Sequence, residues 1–92
     1  MAHLVRDKAK LIARVRRIRG QLDAVERALD QEAACEETLQ LIASSRGAMN
    51  GLMAEVLEGH IRYHVVGEIA DPASEQARAV EQLVDIVRAY LK

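Results

Sequence analysis

At 92 residues the chain has the length of one domain, expected to span 1–92, and a domain this short buries only a modest fraction of its surface. With no Phe or Trp, two Tyr and one Pro, its core must come from Leu, Ile, Val, Met and Ala, which reads as all-α rather than sheet. No apolar run exceeds three residues, which excludes a membrane span or a signal-peptide core. The single Cys excludes an intrachain disulfide and fits a reducing cytosol, so the expected location is cytoplasmic.

The net charge of -1 conceals an asymmetry. Residues 1–20 carry seven basic side chains against one acid, and the rest of the chain carries six basic and thirteen acidic ones. A basic end on an otherwise acidic protein points to a polyanionic partner.

The first element is a helix running to about Asp30. Leu4, Leu11, Ile18 and Val25 recur every seven residues, and Val15, Leu22 and Leu29 do so with an offset of four. That alternation belongs to a helix packed in a bundle. A short break at Asp30-Gln-Glu-Ala-Ala follows. The second helix is expected from about Cys35 to Val66, with a seam of Cys35, Leu39, Ile42, Arg46, Met49, Met53, Val56, His60 and His64. Gly47 and Gly51 cost helix propensity and would let another helix come close. Gly67 is a natural stop. A third helix is expected to start at Asp71-Pro72, an N-cap followed by a proline at the first helical position. A thin aliphatic core in so short a chain predicts completion by oligomerisation.

No catalytic set is legible. The chain has no Gly-rich phosphate loop after a strand and no arguable Ser/His/Asp arrangement, so the expectation is a protein that is not an enzyme and has no catalytic residues. His60 and His64 stand one helical turn apart, a spacing that turns two imidazoles toward one point. Cys35 shares their seam but lies 25 residues away, roughly 37 Å along a helix. They can meet only between two chains whose second helices pack antiparallel about a two-fold axis near Arg46–Leu52, giving two identical sites per dimer. An antiparallel hairpin of the first two helices brings residue 3 opposite residue 61, so His3 joins the site. Removal of the initiator Met before a small Ala would add the amine of Ala2. Thiolate, imidazoles and amine make a borderline donor set suited to Ni²⁺, Co²⁺ or Zn²⁺.

At Arg14-Val-Arg-Arg-Ile-Arg-Gly-Gln21 and Arg46-Gly-Ala-Met-Asn-Gly-Leu-Met-Ala-Glu55 the chain resembles the CsoR/RcnR family of metal-responsive repressors, over nearly its whole length. The resemblance implies a three-helix protomer, an antiparallel dimer, a dimer-of-dimers tetramer, and an operator-bound apo form that lets go when ligand binds. Copper-sensing members carry Cys-His-Cys where this chain has Cys35, His60 and His64, and persulfide-sensing members need two cysteines. The nickel/cobalt-sensing branch carries His-Cys-His-His, which His3, Cys35, His60 and His64 reproduce. The resemblance therefore implies nickel or cobalt as the effector, with zinc as an alternative. The body of the first helix and the closing Arg88-Ala-Tyr-Leu-Lys92 look more like the formaldehyde-sensing members, which use an N-terminal amine with a cysteine. Cys35 and Ala2 keep that alternative open.

Arg6, Lys10, Arg14 and Arg17 fall on a stripe about 80° wide at the 100° helical step, expected to lie away from the packing seam. Lys8, Arg16 and Arg19 flank it. Clustered cations suit the mutually repelling phosphates of double-stranded DNA, and a chain without Phe or Trp lacks a single-strand stacking platform. Arg6, Lys10, Arg14, Arg16, Arg17 and Arg19 are the expected DNA contacts. With no helix-turn-helix in view, readout is expected to rest on phosphate positioning and DNA shape.

Overall fold

The computed structural model describes residues 2–65 and 73–91, with the backbone alone at Ala2, His3, His64 and Val65. Its elements are α1 (Ala2–Arg6), α2 (Lys8–Asp30), α3 (Cys35–His60), a π-helical turn (Ile61–Val65) that continues α3 directly, and α4 (Glu75–Tyr90). The all-α expectation holds, and no strand occurs among the described residues.

The expected first helix is divided at Asp7, whose φ of -96° and ψ of 12° leave the helical region. The Asp7 carbonyl still accepts from the Leu11 N–H at 2.9 Å, so α2 starts again at once. At its other end α2 closes in a Schellman turn. The Ala33 N–H donates to the Ala28 carbonyl at 2.8 Å and the Glu32 N–H to that of Leu29 at 3.2 Å. Glu32 carries the left-handed φ of 55° that such a turn demands.

The third helix begins later than Asp71-Pro72, which lie outside the described residues together with Gly67. Its N-cap is Ser74, whose hydroxyl accepts from the Ala77 N–H at 3.1 Å. Capping satisfies an amide the first turn leaves unpaired, and here serine rather than aspartate supplies the acceptor.

α2 and α3 form an antiparallel hairpin, and α4 folds back on the far end of α3. The hairpin interface is made of Ile18, Ala28, Thr38, Ser45 and Ala54. Thr38 and Ser45 return their hydroxyl protons to the Ala34 and Leu41 carbonyls of their own helix, so their burial leaves no orphan donor. The core under α4 is Ile61, Val80 and Val84, backed by Leu57 and Val87. Salt bridges from Arg62 to Glu81 at 2.7 Å and from Arg88 to Glu58 at 2.9 Å flank it.

The protomer is long and thin, 55 × 25 × 15 Å, with a radius of gyration of 17.2 Å against about 12 Å for a compact domain of this length. Of the two heptad series on α2, the one through Ile18 faces α3, while Val15, Leu22 and Leu29 are exposed. The seam expected on α3 also points outward, with Leu39, Ile42, Met49 and Met53 all exposed. A Cβ on Gly47 would meet open space, so no close approach within the protomer requires that glycine. One chain therefore leaves two apolar stripes about half exposed, where each side chain forgoes roughly 1 kcal/mol of further burial.

Candidate metal centre and nucleic-acid interface

α3 separates the expected donors. Cys35 is its first residue, with an exposed, free thiol, and His60 is its last, also exposed. His64 lies in the π-helical turn and Ala2 and His3 in α1, each described by backbone alone. Among the described residues no three His, Cys, Asp or Glu side chains gather where a metal could be held within one chain.

The hairpin register brings the N-terminus to the histidine end. The amide of Gln21 donates to the Ser44 hydroxyl at 3.4 Å. Further along, Lys10 and Arg14 both reach Glu55. Beyond them the Arg6 guanidinium carbon lies 4.4 Å from the centre of the Tyr63 ring, a cation–π distance. One turn before Arg6, the backbone of His3 stands at the end of the hairpin that carries His60 and the π-helical turn. Cys35 stands at the opposite end.

Glu55 and Tyr63 are site residues that the sequence pattern does not single out. Glu55 lies off the apolar seams, and its signal was the hairpin register, which sets residue 55 opposite the turn containing Lys10 and Arg14. Its side chain is 15% exposed, and its Oε1 sits 2.7 Å from Lys10 Nζ. Its Oε2 sits 2.6 Å from Arg14 Nε but without the alignment of a hydrogen bond, so that oxygen is paired by charge alone. The Lys10 hydrogen bond outweighs desolvation and, with Arg14, holds the Glu55 carboxyl below its ordinary pKa of 4.5.

The six basic residues thus divide. Arg6 is held at Tyr63, and Lys10 and Arg14 are turned toward α3 rather than away from it, because Glu55 draws them in. Arg16, Arg17 and Arg19 are exposed and form no ion pair among the described residues. They make the outward part of the basic face, and Arg16 shares a shallow surface groove with Val5, Lys8 and Ile12.

A helical hairpin with a basic first helix, and with Cys35 and His60 at opposite ends of the second, can be compared with known proteins. Over residues 7–89 the chain matches the family of metal-sensitive transcriptional repressors, and it belongs to that family, the CsoR/RcnR repressors. The transcriptional repressor RcnR of Salmonella paratyphi B is 42% identical over 95 aligned positions that cover all of both chains. A Serratia marcescens protein described as lying in the bioA 5′ region is 51% identical over 92 residues, again the full length of both. Among solved structures, a glutamate-to-histidine variant of the Formaldehyde-Responsive Regulator FrmR from Salmonella enterica serovar Typhimurium is 43% identical. It superposes with a TM-score of 0.64, covering 92% of this chain and 94% of that one. The family consists of repressors, not enzymes, and it implies DNA binding and oligomerisation. No helix among the described residues is long and apolar enough to cross a membrane.

Proposed function

We propose that this chain is a homo-oligomeric, single-domain repressor that holds double-stranded operator DNA in the cytoplasm and releases it on binding nickel or cobalt. The observation that carries the reading is the placement of Cys35 and His60 at opposite ends of one exposed apolar face of α3. Antiparallel pairing of two such faces buries Leu39, Ile42, Met49 and Met53 and carries Cys35 of a second protomer to His60 and His64 of the first. Gly47, open in the protomer, lies near the crossing. Pairing of dimers through Val15, Leu22 and Leu29 would complete a tetramer.

The residues present fit a late transition metal: one thiolate, the imidazoles of His3, His60 and His64, and the amine of Ala2. This set is borderline in hardness, and its five donors exceed the four of a closed structural zinc site. Bound there, the metal would supply a cross-link between the head of the basic helix and a second chain. The residues themselves position the head of that helix through Arg6 and Tyr63 and offer phosphates the exposed Arg16, Arg17 and Arg19. Coupling of about 1–3 kcal/mol between effector and DNA suffices for a repressor and is reciprocal.

A second reading is favoured by the likeness to the formaldehyde-responsive regulator. There the Cys35 thiolate of a second protomer adds to formaldehyde and the Ala2 amine displaces water to leave a methylene bridge between the chains, with no need of His60 or His64. Zinc in place of nickel or cobalt is the remaining variant of the first reading. The test is operator release followed by fluorescence anisotropy, together with the Co²⁺ absorption spectrum. Nickel or cobalt should release the wild type, a thiolate charge-transfer band should vanish in Cys35→Ala, and His64→Glu should lose the metal response. Release by formaldehyde with none by saturating nickel or cobalt would overturn the metal reading.

A further inference from the structure

The basic face that the proposed function turns toward DNA is partly spoken for inside the protomer. Glu55 sets one carboxylate oxygen 2.7 Å from Lys10 Nζ and the other 2.6 Å from Arg14 Nε. Two cations on one pair of anionic oxygens is the arrangement a DNA phosphate would itself seek from the same two side chains. The exposures are lopsided. The Lys10 and Arg14 side chains remain 65% and 40% accessible, whereas the carboxylate is mostly covered. A phosphate can therefore reach both cations without any part of the hairpin opening. Arg14 also extends across α3 so that a Cβ on Gly51 would lie 3.5 Å from one of its terminal nitrogens. Its guanidinium is thus laid along the partner helix rather than held out into solvent. One of the Glu55 oxygens gains charge pairing but no aligned hydrogen bond, which leaves the arrangement open to exchange.

We infer that Glu55 is a positioning residue for DNA binding: an intramolecular stand-in for phosphate that holds Lys10 and Arg14 on α3 in the free repressor and must yield them when the operator binds. The inference rests on the reading that α2 meets DNA. Partly exposed ion pairs are weak, so the operator displaces Glu55 at modest cost, and any state in which the carboxylate keeps its hold binds DNA less tightly. The grip belongs to the hairpin of one chain, whatever the effector proves to be.

The experiment measures operator affinity of the full-length, effector-free protein by fluorescence anisotropy across a salt series. Glu55→Gln, nearly isosteric, should tighten binding about fivefold. Introduced into a Lys10→Ala, Arg14→Ala background, the same change should move affinity less than twofold, because no cation is left to free. Glu36→Gln, an equal change in charge at the far end of α3, should also stay within twofold. Circular dichroism of each variant reports that it is folded. An equal gain in both backgrounds would reduce the effect to net charge and overturn the inference. Weaker binding by Glu55→Gln would overturn it too, since Glu55 would then be aligning the cations for DNA. Arg17→Ala serves as the independent check on the basic face. It should flatten the log–log salt dependence by about one unit, and if it does not, the DNA reading fails rather than the role of Glu55.

Discussion

Arg6 reaches across from α1 to place its guanidinium carbon 4.4 Å from the centre of the Tyr63 ring. The contact ties the first turn of the chain to the π-helical turn that carries His64. Short helices are marginal by themselves, and the five residues of α1 owe their position to such tertiary contacts. π-helical turns inside α-helices are frequent at functional sites, and this one follows His60 directly at the end of the hairpin where α1 lies.

A cation–π contact at a half-exposed ring contributes about 0.5–1 kcal/mol. Tyr63→Ala should therefore loosen the docking of α1 about two- to fivefold. Amide exchange in α1 should quicken by that factor, and cobalt affinity should fall in step, while the thermal midpoint of the hairpin stays nearly constant. Unchanged exchange in α1 would show that Tyr63 has no part in placing His3.

Glu32 adopts a φ of 55° at the one position of the hairpin turn where the Schellman geometry requires a left-handed residue. A side chain with a Cβ pays roughly 1–2 kcal/mol there, partly recovered by its smaller loss of chain entropy compared with glycine. Glu32→Gly should raise stability by about 1 kcal/mol in urea unfolding, with the slope unchanged. A loss of stability would mean that the carboxylate has a partner in the oligomer.

Among the described residues two carboxyls are held below their ordinary pKa of 4.5: Glu55, first by Lys10, and Glu81, by Arg62. A depressed folded pKa contributes stability that is present above the unfolded value and lost as pH falls through the folded one. The thermal midpoint should thus decline below about pH 4.5, as Glu55 loses its pairing with Lys10 and Arg14 and Glu81 its pairing with Arg62. The double variant Glu55→Gln, Glu81→Gln should show a shallower decline over that window. A decline as steep as that of wild type would assign the acid sensitivity to other groups.

Much of this is legible in the sequence for physical reasons. Period-seven apolar positions specify a helix and its packing side wherever they occur, so α2 and α3 could be read to within a residue or two at their shared turn. The series through Ile18 was as readable as the one through Leu22, yet only one of them is buried in the protomer. Periodicity says that a stripe will be covered without saying by what. The start of α4 falls at Ser74 rather than Asp71; both are good caps, and the choice between them depends on which hydroxyl or carboxylate meets a free amide in the folded chain.

By itself the sequence determined the all-helical class, the basic first helix, and a separation of Cys35 from His60 too long for the two to meet within one chain. Each of these follows from composition, from charge order along the chain, or from the fixed rise of an α-helix. Only the tertiary structure decided that Lys10 and Arg14 turn inward to Glu55, that Arg6 docks on Tyr63, and that Arg16, Arg17 and Arg19 remain outside. Those outcomes depend on the register between two helices. A long cationic side chain on the border of a helix face can point either way, and it goes where a carboxylate or an aromatic ring on the neighbouring helix stands within reach.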